Sequence, residues 1–286
     1  MGEIKKNRKR IPIVTATDNR YAIYTEVMLR TLVENIGEET TIDFYIIDDG
    51  LTERNRERLL KVIDIRPDYL ELSFINTNKN LYENCLISDH ITITAYLRIS
   101  VPPILREKKY HKMLYIDADT LILEDIKELY DTNLEGKTIG AVIDPGQIKA
   151  LNRLGVSSTD YYFNSGIMLI DLERWQEQNI TERTLDYLKK EADKILYHDQ
   201  DALNAVLYED WKGIHPKWNM QTSLVFNRFS APTKCYESLY EEGRNNPAII
   251  HFTGHDKPWN TLKSHPYKEQ YMDKLTIVRS AEKEVK

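Results

Sequence analysis

Lys112-Met-Leu-Tyr-Ile-Asp117-Ala-Asp119-Thr-Leu-Ile-Leu123 sets two carboxylates between two short apolar runs. The runs read as strands over 112–116 and 121–123, with the acids at a strand end. The string alone is weak: 21 Asp in 286 residues give about 1.5 Asp-x-Asp pairs by chance. A second pair does occur, Asp199/Asp201, but it opens a helical pattern of Ala202, Leu203, Val206 and Leu207. Carboxylates at i and i+2 share a side of an extended chain and diverge on a helix, so only Asp117/Asp119 can face one ion. Paired acids at the end of a buried strand repel unless a cation joins them, which makes a hard divalent metal the economical reading. The alternative is a solvated turn in which the two acids diverge.

Outward from that stretch, strands alternate with helices. Strands are expected over 11–17, 41–47, 71–75, 138–143 and 166–170. A helix carrying Ile23, Val27, Val33 and Ile36 ends at Gly37, and Thr52 caps another bearing Leu59, Leu60, Val62 and Ile63. This is an α/β pattern with a mainly parallel sheet covered on both faces, and ligands then sit outside the carboxyl ends of the strands. With no repeat and no Pro/Gly/Ser linker, one catalytic domain is expected over 11–260. A basic tail, 1–10, would precede it. A helical extension over 261–286 would follow, with Tyr267, Tyr271, Leu275 and Val278 at helical spacing.

Composition narrows the class. A chain of 33.6 kDa has roughly 49,000 Å² to expose unfolded and about 13,000 Å² folded, enough burial for an unstapled core. Apolar residues make up 41% and charged ones 29%, which excludes collagenous and disordered chains. A net charge of −6 argues against a nucleic-acid partner. Cys85 and Cys235 supply neither a disulfide framework nor a thiolate zinc site, which fits a reducing cytoplasm. The five cations between Lys5 and Arg10 read as a solvated tail, or else as peripheral attraction to the anionic inner face of a membrane. No window approaches a transmembrane span.

Other strand ends carry polar groups. The first delivers Thr17-Asp18-Asn19-Arg20-Tyr21 without a dinucleotide or P-loop glycine pattern. Asp18 and Tyr21 can hold a base edge and a ring face, or Asp18 can simply cap the next helix. Near the far end, Ile249-Ile250-His251 leads into Phe252-Thr-Gly254-His255-Asp256-Lys257-Pro-Trp259. His251 offers an imidazole, Gly254 a close backbone approach and Lys257 a charge for phosphate. Two Asp and one His suit Mn²⁺ better than Mg²⁺, which prefers oxygen and retained water.

Six motifs in this order resemble glycosyltransferase family 8, whose retaining enzymes include glycogenin and bacterial lipopolysaccharide galactosyl- and glucosyltransferases. They are Val14-Thr-Ala-Thr-Asp18 with Tyr21, His90-Ile-Thr-Ile-Thr-Ala-Tyr-Leu-Arg98, Leu114-Tyr-Ile-Asp-Ala-Asp119, Tyr162-Phe-Asn164-Ser-Gly166, Tyr197-His-Asp199-Gln200-Asp201, and His251-Phe-Thr-Gly254 through Lys257-Pro-Trp259. Length and polar ends look most like the bacterial general-stress-protein members.

The resemblance implies a GT-A fold, a single Rossmann-like nucleotide-sugar domain, and Mn²⁺-dependent transfer of glucose or galactose, with retention, from UDP-glucose or UDP-galactose. The acceptor would be a saccharide or glycolipid of the cell envelope. It implies Asp117, Asp119 and His251 as metal ligands, with Mg²⁺ as the alternative ion. Ala16, Thr17, Asp18 and Tyr21 would hold uridine, Gly254 and Lys257 the diphosphate. Arg98, Ala118, Asn164, Asp199 and Gln200 would line the donor, with Gln200, Asp199 and Lys257 closest to the chemistry. His90, Asp144 and Tyr197 would begin the acceptor pocket. Arg20 and His198 depart from the family pattern, one touching nucleotide contacts and the other sugar preference. Front-side attack is expected, since the Gln200 amide is a poor nucleophile. The alternatives are a UDP-sugar hydrolase, a self-glucosylating protein of the glycogenin kind, and a nucleotide binder without catalysis.

Overall fold

Residues Lys9–Asp18 form β1, and its successive side chains enter two different cores because neighbours on a strand face opposite ways. Ile11 and Ile13 join one core and Val14 and Ala16 the other. The same alternation holds for Phe44 and Tyr45 on β2 (Thr40–Asp49) and for Leu114 and Tyr115. A sheet buried on both faces follows, as continuous apolar strands require. The computed structural model describes residues 8–83, 85 and 93–283.

The remaining strands are β3 (Leu70–Ile75), β4 (Lys112–Ile116), β5 (Thr120–Ile122), β6 (Ile139–Ile143), β7 (Phe163–Asp171), β8 (Trp211–Gly213), β9 (Met220–Gln221) and β10 (Ile249–His251). Seven of them form one sheet in the order β3-β2-β1-β4-β7-β6-β8. Only β7 runs against its neighbours; it is antiparallel to both β4 and β6, and the other pairings in this sheet are parallel. The sheet is therefore mixed and mainly parallel, as the alternation of elements indicates. β5, β10 and β9 leave it to form a second, small sheet. Of this sheet the sequence indicates only β5, over 121–123; β9 and β10, with two and three residues, carry no usable period, and their pairing joins segments far apart in the chain.

Helix α1 (Ala22–Asn35) follows β1, and α2 (Glu53–Leu60) follows β2 with Thr52 accepting from the Asn55 N–H at 3.4 Å. The last helix, Lys268–Lys283, buries Tyr271, Leu275 and Val278 in the same core as Val27 and Leu32 of α1. Among the described residues no helix is long and apolar enough to cross a membrane. The strand β1 starts at Lys9, inside the expected tail. Lys9 pairs with Asp131, Arg10 pairs with Asp43 and with Glu71 at 2.8 Å, and Arg8 stacks on Tyr69. Three of the tail's cations are thus held by the fold; Lys5 and Lys6 lie outside the described residues.

Candidate active site

β4 ends at Ile116 and β5 begins at Thr120, so Asp117-Ala118-Asp119 is the turn by which the chain passes from the large sheet to the small one. The acids are not on an extended strand, as the i, i+2 argument assumed; the turn and its neighbours bring them together. β10 pairs antiparallel with β5 in a register that sets His251 opposite Thr120, and the Phe252 N–H donates to the Asp119 carbonyl at 3.0 Å. The reversed strand β7 contributes its amino end: the Asp117 N–H donates to the Gly166 carbonyl at 2.8 Å. Four elements meet at one corner.

Ligand atoms of Asp117, Asp119 and His251 lie within 4.8 Å of one another. His251 Nε2 is 3.3 Å from Asp119 Oδ1 and 3.8 Å from Asp117 Oδ2. Two of the protein's own cations steady the acids. Arg98 reaches Asp117 at 3.0 Å, and Lys257 Nζ reaches Asp119 Oδ2 at 2.5 Å. Burial pushes the Asp117 carboxyl up against the pull of Arg98. At Asp119 burial acts the same way, but Lys257 outweighs it and holds the carboxyl well below the usual range. A Cβ on Gly166 would stand 2.6 Å from Asp117 Oδ2 and 2.2 Å from His251 Cε1. Glycine lets the imidazole and the carboxylate pack directly against the β7 backbone. Two carboxylate oxygens and one imidazole nitrogen are a donor set that a divalent cation fits.

Beside this group lies a buried polar row. Arg98 is sequestered: besides Asp117 it meets Asp199 Oδ2 at 3.1 Å, donates to the Ser165 carbonyl at 2.8 Å, and covers the Tyr115 ring at 4.4 Å. Its guanidinium thus bridges two site carboxylates. Burial pushes the Asp199 carboxyl up to about 6, opposed by Arg98. Gln200 Oε1 accepts from the Ser165 N–H at 3.0 Å and from Asn164 Nδ2 at 3.1 Å, while its Nε2 donates to Asp144 at 3.1 Å. Asn164 lies on β7. Asn204 holds the start of that strand by bonding both the N–H and the carbonyl of Phe163 at 2.8 Å. Asp201 faces away, bound by Arg153 at 2.8 Å and by the Tyr162 hydroxyl at 2.7 Å. The second Asp-x-Asp pair is split, as its helical setting requires.

At the end of β1, Ala16 and Thr17 are buried, and the Thr17 hydroxyl bonds Thr25 at 2.7 Å inside the fold, leaving its backbone to the site. Asp18 Oδ1 accepts from the Arg20 and Tyr21 N–H groups at 2.9 Å, so it does shape the helix entry. The Arg20 side chain lies on Asp18 Oδ2 at 3.3 Å. Burial, then the Asp119 charge, raises the Tyr21 hydroxyl far above its usual range. Trp259 stacks on Tyr24 at 3.7 Å and meets Tyr21 edge-on at 6.2 Å. The loop bearing Gly254 (φ +87°) and Lys257 is thereby docked against the start of α1. Ala118 is buried in the turn.

On the opposite side Asp144 is half-buried, with its carboxyl pushed up by burial, and the exposed Tyr197 accepts from Gln147 at 2.8 Å. His198 packs edge-on against Tyr96 at 6.1 Å. His90 lies outside the described residues. Sequence reasoning missed Asn219, Ser165 and Tyr115. The Tyr115 hydroxyl donates to Asp117 at 3.0 Å, a reach that strand alternation hid. Asn219 bonds His251 at 2.9 Å from just before β9, where no pattern pointed to it.

The sequence profile of glycosyl transferase family 8 matches residues 12–263. General stress protein A of Bacillus subtilis is 39% identical over 269 residues, which span 93% of each chain. Lipopolysaccharide 1,2-glucosyltransferase of Escherichia coli is 27% identical over 91% of this chain and 75% of its own. Among solved structures, the galactosyltransferase LgtC in complex with donor and acceptor sugar analogs superposes with a TM-score of 0.80 at 26% identity, covering 93% of this chain and 96% of that one. The likeness extends the α/β architecture to a GT-A fold.

Proposed function

The chain belongs to glycosyl transferase family 8 and is a hexosyltransferase; from that premise we propose that it moves glucose or galactose, with retention, from a UDP-sugar to a saccharide or glycolipid acceptor in a Mn²⁺-dependent reaction. One observation carries the reading: Asp117, Asp119 and His251 bring one donor atom each within 4.8 Å of one another, a closeness that the missing side chain of Gly166 permits.

Asp117, Asp119 and His251 would hold the cation. Once bound, it supplies Lewis-acid stabilisation of the diphosphate. Lys257, three residues after Gly254, brings a second positive charge to the same leaving group. Its partner Asp119 fixes the ammonium before substrate arrives, and preorganised charge costs no rearrangement during reaction. The bond between the sugar C1 and the diphosphate oxygen breaks, and its electron pair stays on that oxygen. The acceptor hydroxyl oxygen bonds C1 on the same face, and its proton passes to the departing diphosphate.

Gln200 suits this front-side course. Its amide oxygen already accepts two hydrogen bonds, so it is an anchored wall beneath the sugar rather than a free nucleophile. Asp199 is likewise tied to Arg98.

The test is a panel of UDP-glucose, UDP-galactose and UDP-N-acetylglucosamine with Mn²⁺ or chelator, reading thermal shift and UDP release. The expected result is release and stabilisation that need Mn²⁺ and favour one hexose. No metal-dependent response to any of the three donors would reject the assignment.

A further inference from the structure

Three side-chain amides and one imidazole form an unbroken row across the floor of the site, and their donors all point one way. The direction can be fixed from backbone atoms, which have no choice of role. The Ser165 N–H can only donate, so the Gln200 atom at 3.0 Å from it is oxygen. The Gly166 N–H fixes Asn164 Oδ1 in the same way at 3.1 Å. Asn164 Nδ2 then faces Gln200 Oε1 at 3.1 Å, as it must. The Asn219 atom 2.9 Å from Asn164 Oδ1 is therefore its nitrogen. That leaves Asn219 Oδ1 for His251 Nδ1, at 2.9 Å, and an oxygen there demands a proton on Nδ1.

We infer that Asn219 is a positioning residue that selects the Nδ1–H form of His251 and so keeps Nε2 bare toward Asp117 and Asp119. The inference deepens the proposed function and rests on its reading of His251 as a metal ligand. Without Asn219 the opposite form would be favoured. Nε2 lies 3.3 Å from Asp119 Oδ1, so a proton there would gain a charge-assisted hydrogen bond and occupy the lone pair a cation needs. Asn219 is fully buried, and its own nitrogen is committed to Asn164, so it cannot turn its amide around without breaking two bonds. Groups behind a metal-binding imidazole set its tautomer and ring orientation in this manner. The row ends where Gln200 Nε2 donates to Asp144, so the backbone of Ser165 and Gly166 aligns the metal side and the sugar side together.

The experiment uses the metal-free, ¹⁵N-labelled full chain at pH 8 and long-range ¹H–¹⁵N spectra of the histidine rings, with the His251 signal identified by its loss in His251→Asn. Wild type should show the Nδ1–H pattern. Asn219→Leu should change it to Nε2–H and weaken Mn²⁺ binding about 10–100-fold with the far-UV circular dichroism unchanged. Asn219→Asp keeps an acceptor on Nδ1 and should keep the Nδ1–H pattern; Asn219→Ala replaces the leucine variant if that one does not fold. An Nδ1–H pattern and unchanged Mn²⁺ affinity in Asn219→Leu, or loss of the pattern in Asn219→Asp, would overturn the assignment. Failure of wild type to take Mn²⁺ at all would sink the metal reading of the proposed function, while the spectra of the metal-free chain still decide the role of Asn219.

Discussion

Gly166 and His251 are so close that a single methyl group on the glycine would stand 2.2 Å from the imidazole Cε1. The glycine is needed for space, not for an unusual backbone, since it lies within the regular strand β7. Gly166→Ala must therefore push His251 or Asp117 aside. The expected outcome is a loss of Mn²⁺ affinity of about 10–100-fold, the range seen when metal ligands lose their support, with the fold retained. Mn²⁺ titration beside circular dichroism checks it.

Lys257 and a metal share Asp119, so removing the lysine has opposite effects on binding and on transfer. Lys257→Met should tighten Mn²⁺, because Asp119 no longer has a resident cation. It should also lower kcat by about 10²–10³, the cost of losing one preorganised group at developing charge. Weaker Mn²⁺ binding instead would make Lys257 an organiser of the acids and not their competitor.

Arg98 bridges Asp117 and Asp199 in a buried setting, and taking it away strands both carboxylates. Arg98→Met should cost about 3–5 kcal/mol in chemical denaturation at neutral pH. Asp199 already holds its proton up to about 6, above the ordinary carboxyl range, so stability from that proton is present in acid and lost as pH rises through 6. The deficit of the variant should accordingly shrink at pH 5. An equal deficit at both pH values would count against the bridge.

His265 gives a pH response of the opposite sign. It is packed among Phe226, Phe252 and Tyr267, and burial, followed by Arg228, pushes its imidazole down to about 4. The unfolded chain takes this proton near 6.5, so the contribution is full above that pH and falls away toward 4. His265→Phe loses the acceptor for the Tyr267 N–H and should be less stable than wild type by about 0.5–1.5 kcal/mol at pH 7.5. Toward pH 5 the gap should narrow. Thermal melts of both chains across that range measure it.

Much of this site was readable because apolar runs end abruptly in polar residues. Asp117, Asp119 and His251 each follow such a run, and the rule that ligands gather beyond strand ends located all three. Strand direction was not readable: hydrophobic alternation is the same for parallel and antiparallel neighbours, so nothing in Phe163-Asn-Ser-Gly announced a reversed β7 whose first residues enter the site. The ion pairs of Arg98 were not readable for a different reason. Its partners lie 19 and 101 positions away, and only the folded sheet brings them to it. Asn219 was invisible because a two-residue strand has no period, and its hydrogen bonds are set by tertiary neighbours alone.

The pairing of β10 with β5 spans just three residues, with His251 against Thr120 at its last rung. Side chains on so short a ladder have no spare positions: slipping it by one residue would turn the imidazole to the far side of the small sheet. The exposed turn at 227–230, between β9 and β10, can lengthen at little cost, since closure cost rises slowly with length. Insertions at that turn should therefore be tolerated, whereas a single inserted residue within 249–251 would silence the protein while leaving most of its architecture standing.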